Sequence, residues 1–483
     1  MPIKHLIDSR CKHKNGLILE ENQIAYSCIL NQTDIKSNKN KFYIMQLIKI
    51  DKGIILFTVY GRIGENGRSS EELFTDSISA IWAFSKQFKL KTGNNFCGKF
   101  IKKTGKYYLS EISYEEELKN LPDNKQVIPQ SVLAERVQSL IRMLSDLTMI
   151  TNSLIELEID TKKLPLGKIC QSQLDKAKLI LEEVSDLLGK PDNKEELKNK
   201  IIELSSQYYT FIPYSCGRKK PPIINESATI AKYKNVLDEL YNVVVGVQII
   251  NNVKSDENPM DAIYKDINTK IIPLDKNSCM WNEISNYVKN THGSTHAYKL
   301  DIIDILEIEQ QGKRDKFLNN GIDNHMLLFH GTPQSCALSI FKKDFYLDPS
   351  QLKDVNVQIA GKMFGYGVYF ADACTKSFGY TRATMTGNTG VLLLARVALG
   401  NVLSKVHADY TLNKNVLNKM NKSSTKGEGK WQPSKVTKID NLIIPNHPLE
   451  KAKTDTDLLY NEYIVYDINQ ILIQYIVLVK NIS

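Results

Sequence analysis

The sequence predicts a multidomain α+β protein with three successive parts: a small sheet-plus-helix module, an all-helical domain and a mostly antiparallel β domain. Residues 42–60 read as two β-rich runs, apolar residues recur with helical spacing over 131–250, and short β-type runs follow after residue 295. A chain of 483 residues is long enough for about three domains, each with its own core.

The first module is predicted from residues 42–92. The stretch FYIMQLIKIDKGIILFTVY (42–60) contains the turn DKG (51–53), which predicts a hairpin. A glycine-rich turn, GRIGENG (61–67), and a helical pattern over 78–92 come next. The polar segment 112–128 reads as a linker to the following domain.

The second part has the apolar stripe of an amphipathic helix, with three-, four- and seven-residue steps. The stripe consists of Leu133, Val137, Leu140, Leu144, Leu147 and Leu154. Further helical runs are predicted at 171–188, 194–209 and 227–250. Taken alone, these residues predict a helical bundle with a structural role and no catalytic residues.

The positive charge of the chain is concentrated in its first quarter. Residues 1–110 hold 18 Lys+Arg and 9 Asp+Glu, and the remaining residues hold 45 of each sign. A solvated basic face would explain this excess. A polyanion partner, most simply nucleic acid bound in a salt-dependent way, explains better why it lies in one module.

Composition argues against several other classes. No apolar run approaches the ~18–20 residues of a membrane span, and the N-terminal stretch lacks the apolar core of a signal peptide. The eight cysteines are scattered without any CxxC pair, which favours reduced thiols inside a cell. The trio His5, Cys11 and His13 is a weak metal candidate, because flexible tails often contain such groups, and we predict no metal site.

Three short stretches of the last part could carry chemistry: LLFHGT (327–332), GKMFGYGVYFADACTKSFGYT (361–381) and YNEYIVYD (460–467). Taken singly, each stretch is a weak signal of function, since a histidine or tyrosine on an apolar strand usually belongs to the hydrophobic core. Glu462 is harder to explain, because an alternating strand puts it in a row of apolar and aromatic side chains, where an unpaired charge is unfavourable. Either this is an edge strand whose glutamate reaches water, or the carboxylate is functional.

Together and in this order, the three stretches resemble the catalytic domain of the DNA-dependent poly(ADP-ribose) polymerases, with its His-Tyr-Glu triad. His330 begins the His-Gly pair, Tyr369 lies in the GxYFAD strand and Glu462 lies in the NEYIVYD strand. Lys376, Ser377 and Tyr380 match the segment that closes the nicotinamide pocket. The resemblance implies that NAD⁺ is a consumed substrate, so no cofactor is expected.

The resemblance covers nearly the whole chain. Segments 30–47, 60–67 and 91–96 resemble the DNA-sensing WGR module, 158–169 and 211–222 resemble the helical regulatory domain, and 287–296 resembles the start of the transferase domain. The implied organisation is that of the smaller, WGR-initiated members. It comprises an N-terminal tail (1–25), a WGR-like DNA-binding domain (26–112), a helical regulatory domain (125–255) and an ADP-ribosyltransferase catalytic domain (270–483).

Roles for the site residues are carried over from the family. Glu462 would stabilise the oxocarbenium-like sugar and polarise the acceptor nucleophile. His330 would bind a ribose hydroxyl. The other residues implied in NAD⁺ binding are Gly331, Thr332, Ser377, Tyr380 stacked on the nicotinamide, and Tyr369 as the opposite wall. Lys376, Met363 and Tyr460 would lie on the acceptor side.

The first module departs from the family at its aromatic positions. Tyr60 replaces the tryptophan that names the WGR module, whereas Gly61 and Arg62 are kept. Phe96 stands where the family usually has a second tryptophan. Tyrosine and phenylalanine keep a flat ring for stacking, with less area and no indole N–H. Arg62 would relay DNA binding to the helical domain.

The expected function is DNA-break-activated transfer of ADP-ribose from NAD⁺ to protein acceptors, including the chain itself, in the nucleus. We expect 5′-phosphorylated ends to be preferred and poly(ADP-ribose) to form. His325 and Met326 replace a basic pair on the acceptor side, which leaves mono-ADP-ribosylation open. A DNA-end-binding adaptor with a vestigial transferase domain and an NAD⁺ glycohydrolase are two further hypotheses.

Overall fold

The computed structural model describes residues 7–22, 24–110, 129–150, 171–188, 195–253, 257–345, 347, 363–453 and 455–482. The chain forms two compact units. The first contains residues 1–127 and 154–255, and the second contains residues 128–153 and 256–483. The predicted linker at 112–128 and the regulatory-type segment 158–169 lie outside the described residues.

The first module is a twisted antiparallel sheet with one helix packed on it, as predicted. The strand order is β7-β6-β5-β4-β8, and β1 also pairs with β5. The hairpin of β5 and β6 turns at 51–53. The elements are β1 (Leu17–Ile18), β2 (Glu20–Glu21), β3 (Ile24–Ala25), β4 (Ser27–Asp34), β5 (Lys39–Ile50), β6 (Gly53–Arg62), β7 (Arg68–Phe74), α1 (Ser77–Thr92) and β8 (Tyr108–Ser110).

Helix α1 has clear start and stop signals. The Asp76 carboxylate accepts a hydrogen bond from the Ser79 N–H at 2.8 Å, which caps the first turn. Gly93 ends the helix in the left-handed conformation, with φ of 72°. Between these two ends, the side chains of Phe84 and Phe88 are buried in the core between the helix and the sheet. These local signals explain why the helix prediction over 78–92 is confirmed.

In the described ranges that come next, the helices with both ends described are α2 (Glu135–Leu144), α3 (Gln171–Leu188), α4 (Glu195–Phe211) and α5 (Ser227–Asn251). The last three match the predicted runs closely. Helix α2 is shorter than the apolar stripe suggests, because it ends at Leu144, and Leu154 lies outside the described residues. Helices α3–α5 belong to the first unit, whereas α2 belongs to the second.

Within the first unit the sheet module is joined to α4 and the loop after it by polar contacts. The Ser206 hydroxyl accepts a hydrogen bond from the Ile35 N–H at 3.1 Å. Asn40, which is fully buried, donates to the Tyr214 carbonyl at 3.0 Å. Because buried polar groups need partners, these bonds fix the module on the helices.

The second unit is built on two main sheets. A seven-stranded sheet has the order β17-β18-β11-β13-β22-β10-β9, and a four-stranded sheet has the order β12-β21-β15-β14. Its strands are β9 (Thr269–Pro273), β10 (Leu300–Gln310), β11 (His325–Thr332), β12 (Val368–Phe370), β13 (Thr389–Ala398), β14 (Val402–Lys405), β15 (Ser424–Gly427), β16 (Gly429–Pro433), β17 (Thr437–Ile439), β18 (Leu442–Ile444), β19 (Leu449–Lys451), β20 (Leu458–Tyr460), β21 (Glu462–Val465) and β22 (Ile471–Asn481).

Most strand pairs of this unit are antiparallel, which confirms the predicted class. The parallel pairs are β11 with β18, β14 with β15, and β16 with β20. A bridge between Phe329 and Ala371 joins the two main sheets beside the His-Gly pair of β11. The helices are α6 (Pro259–Asp266), α7 (Cys279–Asn290), α8 (Lys313–Leu318), α9 (Gln334–Lys343), α10 (Cys374–Phe378) and α11 (Lys414–Lys419).

In the described part of the chain, no helix is long and apolar enough to cross a membrane. The described residues also contain no group of three or more histidine, cysteine or acidic side chains arranged to hold a metal ion. Cys11, from the weak metal trio, is buried in the apolar core behind the first sheet, while His5 lies outside the described residues.

Candidate active site

Glu462 lies at the start of a central strand and not at an edge. Strand β21 is held between β12 and β15, and Glu462 is only 7% exposed. The edge-strand explanation is therefore wrong. The stretch 458–467 is also not one continuous strand, because the chain leaves β20 at Tyr460 and enters β21 at Glu462, with Asn461 between them.

The Glu462 carboxylate is paired through one oxygen and unpaired through the other among the described residues. Its Oε1 lies 2.9 Å from the Lys376 ammonium, which also donates to the Tyr460 carbonyl at 2.9 Å. Burial lowers the pKa of Lys376, and the neighbouring Glu462 partly offsets this. The second oxygen, Oε2, is buried without a hydrogen-bond partner in the described part of the chain. A ligand hydroxyl would satisfy it.

A buried polar cluster on the other side of the strand holds the chain where β20 ends and β21 begins. Asn461 donates to the Asp372 carboxylate at 2.7 Å and accepts from the Gly429 N–H at 2.8 Å. Tyr463 donates to the same Asp372 oxygen at 3.0 Å. Burial raises the pKa of Asp372 above its usual value. The cluster therefore holds the backbone on both sides of Glu462.

Sequence reasoning did not identify Asp372 or Asn461, although both stand in the quoted stretches. The signal was present, because Asn461 and Tyr463 share the face opposite Glu462 in a stretch that reads as a strand. A polar residue in a strand that is buried on both faces needs a partner. Its partner is 89 residues away in the chain, and no local pattern specifies that distance.

His330 is held as a neutral imidazole. Its Nδ1 lies 2.8 Å from the Tyr369 carbonyl, and since a carbonyl only accepts, Nδ1 carries the proton. Burial lowers the pKa of His330 to about 4. The rings of Phe345 and Phe370 flank it at 4.8 and 5.6 Å between centroids. Near neutral pH, Nε2 is therefore an acceptor, suited to a hydroxyl donor.

Gly331, Ser377 and Tyr369 form a close-packed wall. A Cβ at Gly331 would overlap the Ser377 carbonyl, so only glycine allows this approach. The Ser377 hydroxyl donates to the Phe329 carbonyl at 3.1 Å, which leaves its lone pairs to accept from an amide. The Tyr369 hydroxyl donates to the Gly365 carbonyl at 2.7 Å, and its ring is thereby fixed.

The remaining predicted residues lie around this wall. Tyr380 is 58% exposed, so its ring is accessible for stacking, and Thr332 is buried. On the acceptor side, the buried Tyr460 shares a 2.6 Å hydrogen bond with the Thr295 hydroxyl and stacks on His296 at 5.6 Å. Met363 packs against the apolar cluster that contains Ile464 and Tyr466.

Helix α2 contacts the same unit close to the His-Gly pair. Gln334, two residues beyond Thr332, donates a hydrogen bond to the Met143 carbonyl near the end of α2. At the other end, Arg136 pairs with Asp304 and also donates to the Leu274 carbonyl at 3.0 Å. One helix of the regulatory type is thus tied to the segment that follows the site.

The first module has an aromatic and basic surface around Tyr60. This residue is 43% exposed, and its ring stacks on Tyr43 at 5.7 Å with 14° between the planes. Lys91 lies over the other side of the Tyr43 ring at 4.5 Å. The pKa of Lys91 is lowered by burial and then by Lys41 and Lys106 nearby, so several cations share this surface.

Arg62 and Phe96 occupy different surroundings. Arg62 donates to the carbonyls of Gly217 and Lys219, the latter at 2.6 Å, and therefore reaches the loop between α4 and α5. Gly61 beside it could not carry a Cβ, because the Gly67 backbone is too close. The centroid of the Phe96 ring lies 4.8 Å from that of Phe84 and 5.1 Å from that of Phe88, so Phe96 packs against helix α1.

Family comparisons divide the chain in the same order as the structure. Residues 26–103 match the WGR domain. Residues 131–264 match the poly(ADP-ribose) polymerase regulatory domain, and residues 278–481 match the poly(ADP-ribose) polymerase catalytic domain. All the residues of the wall and both members of the Lys376–Glu462 pair fall within the last match.

Proteins that match nearly the whole of this chain are also named poly(ADP-ribose) polymerases. A poly(ADP-ribose) polymerase of Drosophila melanogaster is 35% identical over 93% of this chain, and poly(ADP-ribose) polymerase 1 of Danio rerio is 34% identical over 97%. The chain spans just under half of these two proteins, at 45% and 46% of their lengths. Poly(ADP-ribose) polymerase 2 of Homo sapiens is 31% identical, with 98% of this chain and 83% of the relative covered.

The lowered pKa of His330 predicts a pH effect on stability. In the unfolded chain a histidine titrates near its ordinary pKa of about 6.5, so the unfolded state binds more protons between that pH and about 4. The contribution is therefore present above pH 6.5 and lost as the pH falls toward 4. Between about pH 7 and about pH 5, the wild type should lose about 2 kcal/mol more unfolding free energy than His330→Gln. Urea unfolding at both pH values measures this difference, and parallel losses would contradict it.

The cluster beneath Glu462 predicts a second effect. Asn461→Ala leaves the Gly429 N–H unpaired and removes one of the two donors to Asp372. We expect the unfolding free energy of the second unit to fall by about 1–3 kcal/mol. The matched control is Asn418→Ala on an exposed face of α11, which should change it by less than about 0.5 kcal/mol. Equal losses in the two variants would show that the cluster contributes nothing special.

Proposed function

Because the chain belongs to the poly(ADP-ribose) polymerase family, we propose that it transfers ADP-ribose from NAD⁺ to protein acceptors, including itself. The observation that carries this proposal is the geometry of Glu462. Its carboxylate is buried, paired with Lys376 through one oxygen and without a hydrogen-bond partner through the other in the described part of the chain. A fixed negative charge in a buried, mostly apolar site stabilises a cationic sugar far better than the same charge in water.

In the proposed reaction, the bond between the nicotinamide nitrogen and the ribose C1′ breaks, and nicotinamide leaves with the bonding electron pair. The ribose becomes oxocarbenium-like, and Glu462 stabilises its positive charge through Oε2 and a bound ribose hydroxyl. An acceptor oxygen or nitrogen then forms the new bond to C1′ and gives up its proton. Glu462 polarises this acceptor, with Lys376 and Tyr460 on the same side.

The other residues would position the substrate. His330 Nε2 would accept a hydrogen bond from a ribose hydroxyl, as its neutral form requires. The Gly331 backbone and the Ser377 hydroxyl would bind the nicotinamide amide. The nicotinamide ring would lie between Tyr369 and the exposed Tyr380. Thr332 keeps a hydroxyl at the family's serine position.

We further propose that DNA breaks activate the transfer. The basic module would bind the break through Tyr60, supported by the Tyr43 ring, with Lys41, Lys91 and Lys106 near the phosphates. Arg62 would pass this binding to the helical residues through the carbonyls of Gly217 and Lys219. The regulatory helices would then shift toward a state in which NAD⁺ can enter.

The finer proposals follow the family. They are a preference for 5′-phosphorylated ends, poly(ADP-ribose) as the product and a nuclear location. Met363, on the acceptor side, supports chain elongation by resemblance. The test is to incubate the chain with labelled NAD⁺, with and without a duplex that has a 5′-phosphorylated nick, and to resolve the protein on a denaturing gel. A DNA-dependent smear supports polymer, one sharp band supports mono-transfer, and no label despite NAD⁺ binding supports a DNA-end-binding adaptor.

Glu462→Gln should lower the transfer rate by at least about a hundredfold, because the variant keeps the shape but loses the charge that stabilises the sugar. NAD⁺ binding should stay within a fewfold of the wild type, as measured by calorimetry. Glu450→Gln, on an exposed position of β19, is the matched control and should leave both unchanged. If Glu462→Gln weakens NAD⁺ binding as much as it lowers the rate, the carboxylate acts in binding alone.

Arg62→Ala should uncouple DNA binding from transfer. It removes the donors to Gly217 and Lys219, so the stimulation by nicked duplex should fall by roughly tenfold, within the usual range of a coupling free energy. The DNA-independent rate should not change. Lys52→Ala, in the exposed turn of the β5–β6 hairpin, is the control. Equal losses of activity with and without DNA would contradict the relay.

A further inference from the structure

Helix α1 of the first module has an apolar group on its solvent side. Trp82 is 64% exposed and Ile78, one turn earlier, is 80% exposed. They lie away from Phe84 and Phe88, which face the core. A tryptophan is rarely so exposed in a folded domain. Two neighbouring apolar side chains left in water suggest a surface that something covers.

The surroundings of Trp82 are positively charged. The Lys86 ammonium lies over the indole ring at 4.6 Å from its centroid, so a cation and an aromatic face are presented together. Over Ser77–Thr92 the helix has three lysines and no acidic residue. The module around it carries the whole net charge of the chain. This chemistry favours an anionic partner with flat rings.

The same helix also borders the proposed DNA surface. Gln87 donates to the Tyr43 hydroxyl at 2.7 Å, and Lys91 lies over the Tyr43 ring. Tyr43 in turn supports Tyr60. Gln87 follows Lys86 in the sequence, but the Tyr43 side and the Trp82 side are different faces of α1. A strand that leaves a break at Tyr60 would have to cross the surface of α1 to reach Trp82.

We propose that Trp82, with Ile78 and Lys86, binds the unpaired single strand that extends from a DNA break. This inference rests on the proposed binding of breaks by the first module. A base would stack on the indole ring, and Lys86 would lie near the adjoining phosphate. Stacking of this kind accepts any base, so the contact would recognise the single strand and not its sequence.

The geometry sets a minimum length for that strand. Trp82 and Lys91 are nine residues apart on α1, which is about 14 Å along the helix axis and about two and a half turns, so they face opposite sides of the helix. A strand that crosses the surface of a helix about 11 Å wide therefore travels roughly 22 Å, or about six nucleotides at a stacked spacing of about 3.4 Å. A flush nick, or a flap of about one or two nucleotides, would not reach Trp82. An acidic peptide would have no such length dependence from a break.

The experiment compares DNA substrates that share one 5′-phosphorylated nick. One has no flap, one has a flap of about two nucleotides, and one has a flap of about ten nucleotides. Binding to the full chain is measured by fluorescence anisotropy of the labelled DNA. Trp82→Ala should weaken binding to the long flap by about tenfold and leave the flush nick and short flap unchanged. Leu73→Ala, at another exposed apolar position of the module, should change none of them.

A second readout comes from Trp82 itself. In a chain with Trp281→Phe and Trp431→Phe, Trp82 is the one remaining tryptophan. Its emission should be quenched by the long flap and not by the flush nick. Equal affinity of the wild type and Trp82→Ala for the long flap would overturn the proposal, as would quenching by an acidic peptide in its place. If the wild type binds none of the substrates, the proposed DNA binding has failed first, and the flush nick identifies that case.

Discussion

The second unit depends on a carboxylate that is buried with only one charged partner among the described residues. Moving Glu462 out of water is unfavourable unless the lost hydration is replaced. Lys376 replaces part of it, and the carbonyls of Tyr460 and Asn461 hold Lys376 in turn. The hydration lost by Oε2, which has no hydrogen-bond partner among the described residues, is the part that is not replaced. A site that leaves a buried oxygen unsatisfied in the free protein can gain that interaction when substrate binds.

The strand that carries this carboxylate is buried on both faces. Asn461 and Tyr463 are buried opposite Glu462. Asp372, at the end of the neighbouring GxYFAD stretch, binds both of them. Strand β12 therefore contributes twice, with the Tyr369 wall on one face and the Asp372 anchor beyond its end. The same strand therefore supports both the wall of the site and the backbone that carries Glu462.

Local patterns predicted much of this chain. Helix α1 follows from its capping aspartate and terminal glycine, and the order of three short stretches was enough to find His330, Tyr369 and Glu462. The interruption at Asn461 and the end of α2 at Leu144 were not predicted, because tertiary contacts decide them. The contacts of the Phe96 ring with Phe84 and Phe88 do not follow from its position in the sequence either, and its DNA contact stays a prediction. Periodicity predicts elements, whereas partners distant in sequence decide bends and side-chain surroundings.

The replacement of a tryptophan by Tyr60 need not weaken the first module, because the smaller ring is supported from behind. Tyr43 stacks under it, Lys91 lies over Tyr43, and Gln87 fixes the Tyr43 hydroxyl, so three side chains hold one flat surface. Two of the three come from α1. The helix that stiffens this surface also carries Trp82 on its outer face, only five residues before Gln87. An indole is thus absent from the expected position and present on the solvent side of α1, the helix that supports the Tyr43 ring in the same basic module.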